Sequence, residues 1–340
     1  MSEKLRIGII GAGRIGKLHA ENLAYSIPSA QIAVIADVNM TQEMEAWAKS
    51  LGIPKVSKNP QDVINAADVD AVMVCSSTAT HADFTIAAAK AGKHVFCEKP
   101  IDMDVEKVKI ALEAVNKAGV KMQVGFNRRF DHNFRRVREL SREGGVGDIH
   151  IVKITSRDPA PPPASYVAVS GGIFIDMMIH DFDMARFQAG SEITEVYAAG
   201  AVLVDPEIGK AGDIDTALVT LKFANGAIGV IDNSRQAVYG YDQRLEVFGS
   251  KGSAQADNDM PSTVKLSNKD GVTGDKPLYF FLERYKGAFI AEIESFVDAI
   301  QHSKPVEVTG EDGLADMYAA LAAGKSLKEK RPVAVAEVMK

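Results

Sequence analysis

Cysteine and tryptophan are scarce in this 340-residue chain: two of the first and one of the second. Cys75 and Cys97 both fall in apolar runs that read as buried strands. Two such thiols make no disulfide framework, and a reducing cytoplasm is the expected location. No stretch approaches about 18 uninterrupted apolar residues, which excludes a helical membrane span. Basic blocks are missing as well. Lys and Arg total 39 against 45 Asp and Glu, a net charge of −6, which argues against nucleic acid or an anionic membrane surface as partner. The opening MSEKLRIGIIGAG enters a strand-and-glycine pattern by its fifth residue, so no secretory leader is expected. What is present is ordinary for a globular protein: 46% hydrophobic and 25% charged residues. At about 150 residues per domain the length suggests two domains.

The first 125 residues alternate short apolar runs with helical patterns. The runs Leu5–Ile10, Ile32–Asp37, Ala71–Cys75, Val95–Glu98 and Met122–Gly125 are too short for helices and apolar on both faces. Strands of a covered parallel sheet have that signature. Amphipathic stretches carrying Ile15, Leu18 and Leu23, then Met44, Trp47, Ala48 and Leu51, fill the first two gaps. Asn59-Pro60 starts another helix, and Gly119 closes a further one. The reading is an α/β domain, a doubly wound parallel sheet of Rossmann type, over residues 1–125.

After residue 126 the rhythm changes. A polar helix over Asp131–Glu143 leads into a strand at Asp148–Arg157, with Val152 and Ile154 on one face and Ile149 and Ile151 on the other. Further strands are predicted at Thr194–Val204, Ile214–Phe223, Ala227–Ile231, Arg244–Gly249 and Thr263–Ser267. Asn225-Gly226 between two of them predicts a type I′ hairpin, in which both turn residues take positive φ. Gly172–Ala189 is predicted as one helix, and two later helices, Gly287–His302 and Glu311–Lys325, are expected to cover one face of a largely antiparallel open sheet. Residues 126–340 thus read as an α+β domain.

Gly11-Ala12-Gly13-Arg14-Ile15-Gly16 follows a predicted strand and opens a predicted helix. Gly11 makes the tight turn, Gly13 lets backbone approach a pyrophosphate, and Gly16 lets helix pack on strand. The next strand ends at Asp37, 21 residues after Gly16, where a carboxylate takes ribose hydroxyls. That carboxylate repels a 2′-phosphate, and Val38-Asn39-Met40 brings no Arg to bind one, so the expected cofactor is NAD. Ser76-Ser77-Thr78 end another strand at the edge where open sheets hold ligands. His81 follows, either a cofactor contact or a helix-start residue touching only backbone.

Glu98-Lys99-Pro100 stands at that same sheet edge, so Lys99 points into the ligand crevice, where an ammonium stabilises developing negative charge. The second constellation is Gly171 to Asp181, in which Asp176 and His180 are four apart and share a helix face. A carboxylate orienting an imidazole leaves it poised as a general base. A satisfied core histidine, or a metal pair with Asp181 or Asp183 as third ligand, are the alternatives, and no metal is expected.

Gly11–Gly16, the Glu98-Lys99-Pro100 tripeptide and the Asp176…His180 segment together resemble the Gfo/Idh/MocA oxidoreductases, and the resemblance covers essentially the whole chain. The strings Thr155–Pro163 and Ser170–Asp181 resemble the inositol 2-dehydrogenase branch. The resemblance implies a catalytic set of Lys99, Asp176 and His180, and polyol contacts at Asn127, Arg128, Asp158 and Tyr239. It implies NAD as cofactor, with Glu98 and Lys99 beside it, a polyol as substrate, and a homotetramer built through the open face of the second-domain sheet. Many such enzymes carry Met where this chain has Asn127, so the stereoisomer stays open. Arg128, Arg129 and Arg157 keep a phosphorylated sugar open, another sugar dehydrogenase of the family is the runner-up, and a non-catalytic NAD-sensing regulator is the reading from a different class.

Overall fold

All five apolar runs of the first half become strands in the computed structural model, which describes residues 4–339. They are β1 (Leu5–Ile10), β2 (Ala30–Ala36), β4 (Ala71–Val74), β5 (His94–Cys97) and β6 (Met122–Val124), joined by the two-residue β3 (Val56–Ser57). The order is β3-β2-β1-β4-β5-β6, with all five neighbouring pairs parallel. This is a doubly wound sheet whose direction of progression reverses between β1 and β4, the place where such sheets open a ligand crevice. Helices Arg14–Ser26, Gln42–Ser50, His81–Lys90 and Val105–Ala118 connect the strands. Thr41 caps the second through its side chain, and Gly119, at φ 67°, ends the fourth in the left-handed conformation.

The first compact unit comprises residues up to Asn127 together with Gly287–Ala315. The sequence reading assigned the helix after Gly287 to the second domain, and the structure corrects this. Ile293, Phe296 and Val297 of helix Lys286–Gln301 are at most 1% exposed, in one core cluster with Ile7, Ile9, Met73 and Phe96. Each such side chain contributes roughly 1.5–3 kcal/mol on burial. An apolar helical stripe states that a partner exists without saying which sheet it is.

The second unit, Arg128–Lys286 and residues from Asp316 onward, holds a seven-stranded sheet. Its strands are β7 (Ile149–Arg157), β8 (Ile193–Ala201), β9 (Thr216–Phe223), β10 (Ile228–Ser234), β11 (Asp242–Gly249), β12 (Gly252–Ala256) and β15 (Val333–Ala334). The order is β12-β11-β7-β10-β9-β8-β15, antiparallel apart from the β7–β10 pair. A separate hairpin pairs β13 (Lys265–Asn268) with β14 (Gly271–Gly274).

Two local expectations change. At the β9–β10 turn Gly226 has φ 90°, but Asn225 is not among the non-glycine residues with positive φ. Phe223 and Ala227 pair across a three-residue loop, and Gly226 N–H donates to Phe223 O at 3.0 Å. That is a type I turn closed by a left-handed glycine, not type I′. The predicted helix Gly172–Ala189 is two helices, Gly172–Asp176 and Ile179–Ala189. Met178 N–H reaches back five residues to Ile173 O, and Asp181 N–H only three to Met178 O, so the ladder loosens and then tightens at Met177-Met178.

Candidate functional site

In the first unit the glycine loop has the geometry its spacing predicts. Gly11 lies at φ +100°, and a Cβ there would stand 2.5 Å from the Cys75 carbonyl oxygen. A Cβ on Gly16 would stand 1.9 Å from Gly11 O, so helix and loop touch with no room for a side chain. Gly13 is exposed, with nothing within 4 Å of where its Cβ would be. The helix that Arg14 and Ile15 begin has no side-chain cap and no acidic residue in its first turn. Its free N–H groups and dipole fit a pyrophosphate.

Asp37 accepts from Ala12 N–H at 2.7 Å through Oδ2 and from Asn39 N–H at 2.8 Å through Oδ1. Two N–H bonds leave lone pairs on both oxygens for a diol. The carboxylate thus braces the glycine loop and keeps acceptor capacity to spare. A 2′-phosphate would meet this anion at close range, a contact worth about 3 kcal/mol of repulsion. The kcat/KM with NAD is therefore expected to exceed that with NADP by roughly 10²-fold. Steady-state rates with the two cofactors measure this, and parity would overturn the role of Asp37.

Ser76, Ser77 and Thr78 lie in the turn after β4, where Ser76 Oγ and Thr80 Oγ1 are 2.7 Å apart. His81 takes the second of its two readings. It is 2% exposed, with Nδ1 2.8 Å from Pro100 O and Nε2 3.0 Å from Ser76 O. Both ring nitrogens meet backbone carbonyls, so the imidazole braces two loops rather than facing a cofactor. Glu98 also departs from a simple cofactor contact: its Oε1 lies 2.6 Å from Nε2 of the buried His19. Lys99 follows, half-buried at the carboxyl end of β5. Asn127 is 3% exposed, and its Nδ2 has no hydrogen-bond partner among the described residues.

In the second unit Arg128 is 5% exposed, and its Nη1 donates to Asp181 Oδ1 at 2.5 Å and Ser156 Oγ at 3.3 Å. Asn233 Nδ2 holds the other Asp181 oxygen at 2.9 Å. Asp176 is gripped by Tyr166, whose hydroxyl donates to Oδ1 at 2.8 Å, and by Arg235, whose Nη1 donates to Oδ2 at 3.3 Å. Arg235 is 1% exposed and also stands 3.7 Å from Asp213. Sequence reasoning missed Tyr166, Arg235 and Asn233; the available signal was a lone arginine directly after an apolar strand, at Asn233-Ser234-Arg235. His180 is half-buried in the first turn of the helix after the kink.

Burial pushes the Asp158 carboxyl up to about 6, with Arg235 and Arg128 opposing and Asp176 and Asp181 reinforcing. Asp158 thus shares a field with Arg128 and Asp176. Tyr239 stands in a different network: its hydroxyl donates to Asp242 at 2.5 Å and accepts from Arg157 Nη1 at 3.2 Å. The tyrosine beside Arg128 is the buried Tyr241, 3.4 Å from Nη2.

A carboxyl that ionises near 6 is a good hydroxyl acceptor only above that pH. The kcat/KM for a polyol is expected to fall as pH drops through about 6, and Asp158→Asn is expected to flatten that limb. By linkage, a carboxyl raised from 3.8 to about 6 in the fold contributes stability present below 3.8 and lost as pH rises through about 6. Well above that pH, then, Asp158→Asn is expected to melt at a higher temperature than the parent. An unchanged acid limb in the pH profile would remove Asp158 from the site.

The three arginines that left a phosphorylated sugar open are all committed: Arg128 to Asp181, Arg129 to Asp183 at 2.6 Å, and Arg157 to Asp232. The same pairings take Asp181 and Asp183 away from any metal with His180. Among the described residues two clusters place metal-capable atoms within 4.8 Å of one another: His19, Glu98 and Glu292, and Asp131, His132 and Asp259. In the second, Arg284 Nη1 already bonds both carboxylates, at 2.5 and 3.1 Å. In the first, burial holds the Glu292 carboxyl well above its usual range, helped by the Glu98 charge.

Residues 5–126, which contain the glycine loop, match the oxidoreductase family with an NAD-binding Rossmann fold, and residues 134–255 match the GFO/IDH/MocA C-terminal domain. A myo-inositol 2-dehydrogenase of Thermotoga maritima is 53% identical over 98% of this chain and 100% of its own length. The chain belongs to the Gfo/Idh/MocA family. An inositol 2-dehydrogenase of Rhizobium meliloti is 46% identical over 98% of this chain and 99% of its own. The crystal structure of a scyllo-inositol dehydrogenase from Lactobacillus casei, with bound NAD(H) and scyllo-inositol, superposes with a TM-score of 0.91 at 35% identity, covering 98% of this chain and 100% of that one. As a Gfo/Idh/MocA oxidoreductase the chain pairs an NAD-binding Rossmann unit with the family's α+β unit, the fold class that the strand pattern predicted. Among the described residues no helix is long and apolar enough to cross a membrane.

Proposed function

We propose that this chain oxidises a ring hydroxyl of myo-inositol, or of a close isomer, to the ketone, with NAD as oxidant. Near-full-length identity of 53% and 46% to two inositol 2-dehydrogenases is the observation that carries the substrate class. The polar set of the second unit suits a polyol, because Arg128, Asp158, Asp176 and His180 supply both donors and acceptors for ring hydroxyls. Bound NAD supplies the acceptor for the hydride. Loop residues Gly11, Gly13 and Gly16 hold the pyrophosphate, with Asp37 on the ribose and Ser76 to Thr78 along the crevice. His180 takes the hydroxyl proton as general base. Asp176, held by Tyr166 and Arg235, keeps the imidazole oriented and offsets its positive charge once protonated. Lys99 donates to the same substrate oxygen and stabilises its developing charge. Asn127, Arg128 and Asp158 position the remaining hydroxyls, and Tyr239 acts at the rim through the Arg157–Asp242 network.

The test is NADH formation with myo-, scyllo- and chiro-inositol, glucose and xylose. Highest kcat/KM on an inositol supports the proposal; a preference for an aldose turns it into the sugar dehydrogenase reading. Reduction of NAD by none of them favours the sensing regulator.

The working form is a homotetramer in a reducing cytoplasm. Cys75 and Cys97 are free, buried thiols, with burial pushing Cys97 up to about 12. On one face of the second unit's sheet Phe248, Ile151 and Ile228 stand side by side across β11, β7 and β10, each at least 37% exposed. Leu218 and Tyr197 of β9 and β8 continue that face, which a lone copy leaves in water. Light scattering on a sizing column decides the matter, and a monomeric mass would overturn it.

A further inference from the structure

Each neighbour of Lys99 in the chain is fixed by a buried histidine. On the amino side, Glu98 is held three ways: its N–H donates to Val74 O at 3.0 Å, its carbonyl accepts from Cys97 Sγ at 3.3 Å, and its Oε1 lies 2.6 Å from His19 Nε2. On the carboxyl side, Pro100 O lies 2.8 Å from His81 Nδ1, and the other nitrogen of that ring ties it to Ser76. The two imidazoles are 0% and 2% exposed.

Their surroundings are built around this arrangement. The His19 ring sits edge-on to Phe96 and Phe289, at 5.4 and 5.9 Å between centroids. A Cβ on Gly125 would come within 3.1 Å of the Glu98 carboxyl carbon and of both its oxygens, so the space that seats this carboxylate exists because residue 125 is glycine. Glu292, from helix Lys286–Gln301, closes the cluster, and its carboxyl is held well above the usual range by burial. In its protonated form it sets no second anion against Glu98. Cys75 and Cys97, the other titratable groups there, are likewise pushed up by burial.

We propose that His19 and His81 are positioning residues for Lys99, two imidazoles that grip the residue before it and the residue after it so that the ammonium keeps one direction at the sheet edge. The proposal rests on the reading of Lys99 as a catalytic residue. Neither histidine touches substrate. Each acts through the backbone or side chain of a neighbour, and the payoff is geometric, because misplacing a catalytic group by about 1 Å costs up to roughly 10²-fold in rate.

The experiment measures kcat, KM for NAD and the isotope effect from a polyol deuterated at the reacting carbon, for His19→Leu and His81→Leu, each alone and combined with Lys99→Ala. Each single variant is expected to lose roughly 10–10²-fold in kcat with KM for NAD little changed, and with a larger isotope effect as hydride transfer becomes limiting. His19→Gln and His81→Gln, which keep an N–H donor, are expected to recover part of the loss. In the Lys99→Ala background the histidine replacements are expected to cost almost nothing, since there is no ammonium left to aim. Losses of full size in that background overturn the proposal, as do single variants that turn over normally. Where a Leu variant fails to fold, the Gln variant carries the same comparison, and its loss must vanish without Lys99. Near-normal turnover in Lys99→Ala alone marks the failure of the lysine reading rather than of the histidine grip.

Discussion

His180→Ala is expected to lower kcat by roughly 10²–10⁴, the usual worth of a positioned acid–base group, while leaving the melting temperature near that of the parent. His180 lies in the first turn after the Met177-Met178 break and is only half-buried, so its removal opens no deep cavity. Asp176 on the other side of the break stays tied to Tyr166 and Arg235 whether or not the imidazole is present. The loss therefore falls on chemistry rather than on the fold. A general base made redundant by an external one gives the sharper check: added imidazole is expected to restore part of the rate in the alanine variant. NADH absorbance under saturating polyol measures both. Turnover within a few-fold of the parent, about 1 kcal/mol or less of barrier, would end the proposed role.

Asp181→Ala carries the largest expected effect on stability, a loss of about 3–5 kcal/mol. Asp181 is fully buried and neutralises Arg128, with Asn233 on its second oxygen. Burial alone pushes the carboxyl up, and Arg128 is the largest force pulling it back. Removing it leaves the guanidinium without its directly bonded carboxylate, among the uncharged Tyr241, Tyr285 and Ser156, with the more distant Asp158 as partial compensation. Urea unfolding followed by circular dichroism reads the difference. A paired replacement, Arg128→Met with Asp181→Leu, removes both charges together and is expected to cost much less, because the penalty lies in the stranded charge rather than in the missing bridge. Equal losses in the single and the paired variants would show that the ion pair is not what holds this core.

The nucleotide-binding half was readable because each of its signals is local. A buried parallel strand is a short apolar run, and Gly11, Gly16 and Asp37 sit at fixed offsets from such runs. The alternation over Asp148–Arg157 equally stated the two faces of that strand, with Val152 and Ile154 buried and Ile151 and Lys153 exposed. Contacts with large sequence separation were not readable. Arg235 meets Asp176 across 59 residues, and nothing in either neighbourhood names the other. The spacing of Asp176 and His180 predicted a single helix because a change of ladder at Met177-Met178 leaves no mark in residue type: no proline or glycine interrupts it. Tyr239 and Tyr241 flank Gly240, whose φ of 132° turns the chain between them, so their spacing does not say which one faces inward, and only the packing of Arg128 tells which one lies deep.

Helix Lys286–Gln301 lends its apolar side to a sheet whose last strand ends at Val124, more than 160 positions earlier in the chain. The cofactor-binding half is therefore not a portable N-terminal cassette. Cut after Asn127, it leaves one flank of its core, including Ile9 and Phe96, without the covering that Ile293 and Phe296 provide. Engineers who graft this half onto another catalytic partner must transplant two stretches of gene, not one.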